Sequence, residues 1–517
     1  MRRRMRTATI ALLPVAASLV ATLSLASPAA ALTCATRVHS DFNGDGLADL
    51  AVGQPSRFSE EEARGAFRVL YGTASGVGTA GNQLFTPLMP GMPLPITEDG
   101  YELGYALASG YFNNDCYADL AVGAPVADRI VVLNGSASGL TLTGVKTFTD
   151  TDFTTGSAQR FLGSALAAAD FDGDTLDDLA IGASQAGSGG AVGVLYGANG
   201  GLSTARKRWI TQSTSGIPGA GEAGDGFGFS LAAGDLTGDG RGDLVVGVPL
   251  EDIGSTEDAG AIVVIPGSST GLATGRSQGW SQSTANVPGA SEPNDRFGFT
   301  LAIADVNGDG KADLAAGAPI ETIGTTFAAG AVTVLRGATA GLTATGAKGW
   351  SQATAGVPGS AEEFDQFGAS ITLGDYNGDG FADLAAGSPR ETVGAASESG
   401  LVTVIFGSAS MLTSAGARSV TQSSLGVSGG DGDTELFGWA VTSLRSAGAT
   451  ASDLAVGAPN ETIPFDGSDD GLLDGAGTIT VARGGAGSAA LTTATAIVDD
   501  QVVEGPAGND QLGKVLG

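Results

Sequence analysis

A fifteen-residue pattern rich in aspartate and glycine recurs along this chain and constrains its fold more than any other feature. The segment 41–55 reads DFNGDGLADLAVGQP, and close copies begin at residues 170, 235, 305 and 375. Weaker copies begin at residues 111 and 445, where the first aspartate is replaced. From residue 235 onwards the copies are 70 residues apart. A long, fixed period indicates an array of similar supersecondary units, each packing against its neighbours.

Each repeat is predicted to contain four β-strands. In the unit 295–354, an apolar stretch with a Phe-Gly pair precedes the aspartate-rich loop, and LAAGAP follows it. GAVTVLRG then alternates small and β-branched residues as a half-buried strand does, and GWSQAT supplies a fourth strand. Four strands per unit with glycine-rich turns predict an all-β fold, a β-propeller of four-stranded blades. A sandwich or a β-helix is the alternative, although the period is too long for a β-helix coil.

The number of loops predicts seven blades. A Phe-Gly pair or its Leu-Gly equivalent precedes every loop except the first. The missing strand recurs at the other end of the sequence, where 509–517 reads NDQLGKVLG. We therefore expect this segment to complete the first blade and close the ring, which removes exposed sheet edges. Residues 32–517 would then form a single seven-bladed domain.

Residues 1–31 have the pattern of a secretory signal peptide. Four arginines precede an apolar run over residues 8–25, and small residues follow as far as Ala31. An uncleaved membrane anchor is the alternative. No later stretch is apolar for long enough to span a bilayer. The sequence thus predicts a secreted or cell-surface protein, which we expect to be a monomer.

Charge and cysteine content narrow the range of functions. The formal net charge is −30, and such a surface repels nucleic acid and anionic lipid and attracts cations. Cys34 and Cys116 are the two cysteines, and in an exported chain such a pair is expected to form a disulfide. His39 is the single histidine. These counts exclude most histidine-based or cysteine-based catalysis and a conventional zinc site.

The aspartate-rich loops have the spacing of calcium ligands. In DFNGDGLAD, oxygen-bearing side chains stand at positions 1, 3, 5 and 9, with glycine at position 6. Calcium takes six to eight oxygens, whereas magnesium prefers a rigid octahedron and retains its waters. The residue at position 12 is apolar where an EF-hand has glutamate, so a strand–loop–strand site is predicted.

About five structural calcium ions are expected. Their predicted ligands are Asp41, Asn43, Asp45, Asp49, Asp170, Asp172, Asp174, Asp178, Asp235, Thr237, Asp239, Asp243, Asp305, Asn307, Asp309, Asp313, Asp375, Asn377, Asp379 and Asp383. The weaker second copy offers an incomplete set, Asn113, Asp115 and Asp119. A single loop of this kind is more often a hydrogen-bonded turn. Five loops in register favour metal binding.

The order of Phe-Gly, aspartate-rich loop and Gly-Ala-Pro resembles the FG-GAP repeats of the integrin alpha-subunit propeller and its bacterial relatives. Phe297-Gly298, the loop 305–313 and Gly317-Ala318-Pro319 show all three elements in one unit. The resemblance covers essentially the whole chain after residue 31. It implies a seven-bladed propeller with calcium in several loops, serving as an extracellular recognition or adhesion platform. Nothing in the chain resembles integrin stalk domains or a membrane span, so integrin-type signalling is not implied.

Three further patterns allow two interpretations each. The tripeptide RGD at 241–243 spells an integrin ligand, but Asp243 is position 9 of a calcium loop, which favours a structural role. A second set of acids recurs every 70 residues and either forms a ring that binds a cation or a basic partner or stabilises turns: Glu251, Glu321, Glu391 and Glu461. Tryptophans at matching places are expected to pack between blades rather than to stack on sugars: Trp209, Trp280 and Trp350.

Three functions compete. The preferred one is a secreted, calcium-binding and non-enzymatic module for binding or cell adhesion, whose partner is an extracellular protein or glycan, because no nucleophile–base pair stands out. The second is a glycan-active hydrolase or lyase that uses carboxylates alone, since a pair of acids suffices for that chemistry. The loops use up the obvious carboxylates, which disfavours this class. A purely structural envelope or matrix protein is the third.

Overall fold

The computed structural model describes most of the chain between residues 37 and 516. The described residues are 37–58, 64–94, 101–154, 160–427, 430–446, 448–461, 463–464, 472–473, 477–487, 491, 493–498 and 515–516. The predicted signal peptide, Cys34 and residues 509–514 lie outside this set. Within it, every helix is too short or too polar to cross a membrane.

Seven four-stranded sheets make up a β-propeller, which confirms the predicted fold class, the number of blades and the number of strands per blade. Listed from the innermost strand outwards, blade 1 comprises Val515–Leu516, Leu50–Phe58, Arg64–Leu70 and Gln83–Phe85; blade 2 Leu107–Gly110, Asp119–Ala124, Arg129–Asn134 and Thr141–Thr149; blade 3 Leu162–Ala169, Asp178–Ala183, Ala191–Tyr196 and Ser203–Ile210; blade 4 Ser230–Gly234, Asp243–Val248, Ala261–Ile265 and Gln278–Trp280; blade 5 Thr300–Ala304, Asp313–Ala318, Ala331–Ala338 and Gly341–Trp350; blade 6 Ser370–Gly374, Asp383–Ser388, Leu401–Phe406 and Thr413–Val420; and blade 7 Ala440–Leu444, Asp453–Ala458, Thr478–Ala482 and Ala494–Val498.

Small elements decorate the connections between these strands. Two short hairpins are formed by Gly72–Thr73 with Gly76–Val77 and by Ile463–Pro464 with Leu472–Leu473. A single-turn α-helix and three 3-10 turns occupy Asp150–Phe153, Pro125–Ala127, Thr274–Arg276 and Ser423–Leu425. The fold is thus carried by strands, as the glycine-rich and β-branched composition predicts.

The first blade is assembled from both ends of the described chain. Val515–Leu516 pairs antiparallel with Leu50–Phe58, with Val52 opposite Leu516 and Gly53 opposite Val515. Leu516 packs against the apolar cluster that joins blade 1 to blade 7. The last described strand therefore takes the innermost position of blade 1. The domain limits 32–517 themselves remain a prediction.

The Phe-Gly and Gly-Ala-Pro elements meet where neighbouring blades touch. Phe297 is completely buried and packs in the apolar cluster that contains Ile262 of the preceding blade. The Cβ position of Gly247 lies 2.2 Å from the carbonyl oxygen of Gly298, so a side chain at residue 247 would clash with the next blade. Gly298 has φ +86°, and its N–H donates to the carbonyl of Gly317 at 3.0 Å. Contacts of this kind recur from blade to blade, which explains why both glycine motifs recur.

The second set of recurring acids forms hydrogen-bonded joints between blades. In each joint, the side-chain amide of a glutamine at the end of one blade donates to a glutamate carboxylate of the next. The four pairs are Gln212–Glu251 (2.6 Å), Gln282–Glu321 (2.5 Å), Gln352–Glu391 (2.6 Å) and Gln422–Glu461. Burial is the main cause that raises the pKa of each glutamate from 4.5 to about 7. These contacts favour the structural interpretation of the acids.

The joints are expected to make the protein less stable as the pH rises. The folded-state pKa of these carboxyls lies above the unfolded value, so the stability they contribute is complete below about pH 4.5 and is lost as the pH rises through about 7. The variant Glu391→Gln keeps the shape of the protonated side chain and removes its charge. In excess calcium, we expect it to raise the melting temperature at pH ~8 by about 1–3 °C and to raise the value at pH ~5 by less than about 1 °C.

Calorimetry of Glu391→Gln at both pH values measures this effect. Glu363→Gln, which neutralises an exposed carboxylate just before the innermost strand of blade 6, is the matched control and should behave as the wild type. Equal melting temperatures for Glu391→Gln and the wild type at the higher pH would contradict the assignment.

The prediction that the three tryptophans occupy equivalent positions of their repeats is wrong for Trp209. Trp280 and Trp350 stand opposite equivalent residues of their neighbouring strands, whereas Trp209 stands opposite Gly193, one residue out of register. Because side chains of a strand alternate between faces, a shift of one residue sends Trp209 to the other face. There its ring lies 5.6 Å from that of Phe153. Trp280 and Trp350 pack in apolar clusters between blades.

The disulfide between Cys34 and Cys116 remains a prediction because Cys34 lies outside the described residues. Cys116 has φ +72° at a loop position that glycine occupies elsewhere. The hydroxyl of Tyr111 bonds both backbone groups of Val38, at 2.9 Å and 2.8 Å, and so holds the chain just after Cys34 beside this loop. We expect mass spectrometry of the exported protein, without reduction, to find no free thiol. The bridge would close an ~80-residue loop and stabilise the fold by roughly 4 kcal/mol; two free thiols would contradict it.

Candidate metal centres and the central channel

In blades 2 to 7 the loop joins the innermost strand to the second strand, and in blade 1 the loop 41–49 leads directly into the second strand, so the loops lie on one face of the propeller. In blade 4, Asp235 at position 1 accepts the backbone N–H groups of Gly238 (2.7 Å), Asp239 (3.1 Å) and Gly240 (2.8 Å). The carboxylate therefore draws the loop into a tight turn. The first of these hydrogen bonds has an equivalent in the other four full loops, at 2.6–2.7 Å.

The aspartate at position 9 is buried and ties the loop to the blade. Asp243 has no exposed surface. One of its carboxylate oxygens accepts the N–H of Thr237 at 3.0 Å and the other accepts the N–H of Gly267 at 2.8 Å. The second contact joins the loop to the end of the third strand. The position-9 residues of the other full loops are equally buried: Asp49, Asp178, Asp313 and Asp383.

The loops hold negative charge that is poorly solvated. Burial is the main cause that raises the pKa of these carboxyls, to about 6 in Asp243 and Asp313, about 7 in Asp49 and Asp383, and about 8 in Asp178. Neighbouring aspartates of the same loop raise each pKa further. A divalent cation among these oxygens would favour the charged form and remove the penalty. The electrostatics of the loops therefore suit a cation.

Blade 3 brings three carboxylates together most closely. Oxygens of Asp170, Asp172 and Asp174 lie within 4.8 Å of one another. The guanidinium of Arg206 contacts Asp172 at 2.7 Å and neutralises part of this charge. The donors in all five loops are hard oxygens, which fits calcium. Each position-5 carboxylate is exposed and accepts the backbone N–H of position 7 at 2.9–3.1 Å, which holds it within the loop.

Blades 2 and 7 depart from the five full loops, because their first aspartate is replaced by Tyr111 and Arg445. In blade 2, the side-chain amide of Asn113 donates to Asp119 at 3.1 Å. In blade 7, Arg483 forms an ion pair with Asp453 at 3.3 Å. Asn113, Asp115 and Asp119 keep positions 3, 5 and 9 of the loop without position 1, and the amide contact of Asn113 has an equivalent in blade 5, where Asn307 donates to Asp313 at 2.7 Å. Arg483 lies far along the chain from its partner, and no local pattern in the sequence identifies it.

The face opposite the loops carries aromatic side chains around the central channel. The innermost strand of blade 4 begins after Phe229 and ends before the aspartate-rich loop, which places the two features at opposite ends of the strand. A cavity of about 330 Å³ at the channel mouth is lined by residues of all seven blades. Tyr105, Phe229 and Trp439 are each 38% exposed, and the ring of Phe299 lies 5.0 Å from that of Phe229. All four residues directly follow a Phe-Gly or Leu-Gly pair.

The repeats and several known proteins match this chain. The family model for the FG-GAP repeat matches residues 162–195, 227–265, 297–335 and 367–405, which lie in blades 3 to 6. The protein is 33% identical to Integrin alpha-PS2 of Drosophila melanogaster over 43% of this chain and 16% of that protein. It is 30% identical to human phosphatidylinositol-glycan-specific phospholipase D over 36% of this chain and 21% of that protein.

Among solved structures, an exotype rhamnogalacturonan lyase aligns with 79% of this chain and 84% of its own, at 10% identity and a TM-score of 0.31. The matches to the integrin and the phospholipase span about a fifth of those proteins or less. Their activities as whole proteins therefore do not transfer with the match. The element matched by the family model is the FG-GAP repeat, and its four copies lie in blades 3 to 6. The chain contains FG-GAP repeats in blades 3 to 6 and is similar to integrin alpha subunits.

Proposed function

We propose that this protein is an exported, calcium-stabilised propeller that binds an extracellular protein or glycan and acts as an adhesion-type module rather than as an enzyme. Calcium would be held by positions 1, 3, 5 and 9 of the five full loops, where it would neutralise carboxylates that otherwise repel one another. Its role would be to stiffen the face opposite the channel mouth. Export is supported by the pattern of residues 1–31 and by the acidic composition.

The observation that carries this proposal is the aromatic channel mouth. Exposed aromatic side chains grouped around a concave surface are typical of binding sites, because each ring offers a large contact area at little entropic cost. Seven blades contribute to the mouth, so its shape depends on the closed ring. The rings of Tyr105 and Phe161 also lie edge to face at 6.1 Å, which holds Tyr105 in place.

The chemistry of the mouth favours binding over catalysis. The described residues that line the cavity are apolar or carry hydroxyl groups, with no carboxylate, histidine or cysteine among them. The hydroxyls of Ser230, Thr300 and Ser370 donate to backbone carbonyls of the next blade at 2.6–2.7 Å. These groups are therefore engaged in joining blades, and none is paired with a general base.

A ligand screen with channel variants tests the proposal. Calcium-loaded protein is applied to arrays of cell-wall glycans and surface proteins, and each hit is measured again with Phe229→Ala/Trp439→Ala. We expect the affinity to fall at least about tenfold, because aromatic anchors dominate such interfaces. Phe327→Ala, which removes a 46% exposed ring away from the channel, is the matched control. A ligand that binds the double variant and the control with wild-type affinity would refute the proposed site. A ligand that is converted chemically would refute the non-enzymatic role.

A further inference from the structure

Two equivalent cavities lie at consecutive seams of the propeller, between blades 3 and 4 and between blades 4 and 5. Their volumes are about 190 Å³ and about 130 Å³. The joint Gln212–Glu251 bounds the first and the joint Gln282–Glu321 bounds the second. A Pro-Gly pair from the connection between blades lines each of them. The shared design comes from equivalent positions of successive repeats.

Each cavity combines apolar walls with a carboxyl group. In the first, Ile253 and Val248 accompany Glu251, and in the second Ile323 accompanies Glu321. The Cβ position of the glycine in the first Pro-Gly pair lies 3.2 Å from Oε1 of Glu251, so the absence of a side chain there leaves room beside the carboxyl. No lysine or arginine occurs among the described residues that line either cavity.

Each cavity contains acceptors without a partner beside its carboxyl, together with one indole N–H donor that has no partner among the described residues, that of Trp280 in the first and that of Trp350 in the second. Gln212 and Gln282 are only 5% and 4% exposed, and each uses its amide N–H on the glutamate. Their carbonyl oxygens have no hydrogen-bond partner within the described part of the chain. Burial is the main cause that raises the pKa of Glu251 and Glu321 to about 7. Nearby carboxylates, Asp225, Glu222 and Asp252 in the first case and Asp295 and Glu292 in the second, raise the pKa further, and the glutamine amide lowers it. A net charge of −30 attracts cations to the whole surface.

We propose that these two cavities bind alkyl-ammonium groups, with Glu251 or Glu321 accepting hydrogen bonds from the charged head and the apolar walls contacting the aliphatic stem. A primary ammonium has three N–H donors and no acceptor, which matches the acceptors without a partner. Its stem prefers apolar contact while its head seeks a polar partner. A calcium ion would require six or more oxygens, which the apolar walls do not supply. Pockets for drug-sized ligands have ~300–1,000 Å³, so these smaller cavities suit a single side-chain-sized group.

This chemistry is shared by a lysine side chain of a partner protein and by a free aliphatic amine. The inference does not depend on the channel mouth, because the cavities lie at the seams and are lined by different residues. A failure of one proposal therefore leaves the other intact.

Isothermal titration calorimetry of the calcium-loaded, full-length protein at about pH 8 tests the inference. The probes are N-acetyl-lysine methylamide, the isosteric norleucine derivative and n-butylamine. We expect the lysine derivative and butylamine to bind at two sites per chain, and the norleucine derivative, which lacks the charge, not to bind. A clear preference for the lysine derivative over butylamine would assign the source to a protein partner, and the reverse to a free amine. Equal binding of the lysine and norleucine derivatives would overturn the proposal.

Glu251→Gln/Glu321→Gln is expected to weaken binding of the lysine derivative at least about tenfold, since a charge-assisted hydrogen bond is lost. Glu257→Gln/Glu363→Gln removes the same charge from two exposed positions that line neither cavity and should bind as the wild type. If the first variant does not fold, the wild type titrated at about pH 5 replaces it, because protonated carboxyls should bind the amine at least about tenfold more weakly. Binding that survives both the substitution and the acid titration would refute the site.

Discussion

Removal of calcium by a chelator is expected to lower the melting temperature by about 10–15 °C. At a calcium concentration one hundred times Kd, each site stabilises the native state by about 2.7 kcal/mol, so five sites contribute more than ~10 kcal/mol. For about 480 folded residues, the entropy of unfolding is roughly 1 kcal/mol per kelvin, which converts that energy into the expected shift. The melting temperature depends on calcium because each position-9 carboxylate is buried and is repelled by the other aspartates of its own loop.

Scanning calorimetry in chelator, and again after calcium or magnesium is restored, measures the effect. Magnesium should restore less of the melting temperature, because it keeps its waters and tolerates little distortion. Asp239→Asn, at an exposed position 5, should lower the melting temperature by about 2–3 °C in calcium and leave it unchanged in chelator. Asp115→Asn changes the same position of the incomplete loop in blade 2 and should have no effect in either condition. A melting temperature that does not respond to chelator would show that the loops fold without metal.

Much of the fold could be predicted because the same local sequence pattern recurs in every repeat. The close approach at Gly247 and Gly298 forces glycine into both motifs, so the pattern of glycines marks the seams between blades. The third strands were also predictable as strands, but not as half-buried ones, because neighbouring blades cover both of their faces and their central residues are buried throughout. Where a repeat deviates by a single residue, the pattern no longer predicts which face of the strand a side chain occupies, as the register of Trp209 shows.

The candidate site was less predictable, for a physical reason. The ligands of one loop lie close together in the sequence, whereas the arginines that neutralise their charge do not. Arg206 contacts Asp172 across 34 residues, and Arg483 contacts Asp453 across 30. The aromatic mouth depends on bringing the same position of different blades to one axis, and a single repeat carries no sign of that convergence. The glutamine partner of Glu321 likewise belongs to another blade, so the sequence could show that the acids recur but not what they contact.

Deletion of 509–517 is expected to destabilise the whole propeller, because the first blade then has no innermost strand. Residues Val52 and Gly53 would lose their ladder partners, and the strand Leu50–Phe58 would become an exposed edge that favours aggregation. The contact of Leu516 with the cluster between blades 1 and 7 would also be lost. Because Leu516 is only partly buried, this cost should lie below the ~2–5 kcal/mol of a fully buried leucine. The expected result is a low yield of exported protein and a melting temperature lower by at least several degrees.

A matched pair of point variants tests whether Val515–Leu516 stabilises the propeller as a strand or is a tail that contributes nothing. Leu516→Ser removes the apolar contact and should reproduce part of the loss, whereas Leu516→Ile keeps an apolar side chain of the same size and should cost less than about 1.5 kcal/mol. Melting followed by circular dichroism, together with the oligomeric state by size-exclusion chromatography, measures both effects. Because the innermost strand of blade 1 closes the ring, its loss should lower the melting temperature of the whole propeller rather than that of a single blade. A truncated protein with wild-type yield and melting temperature would mean that another segment closes the ring.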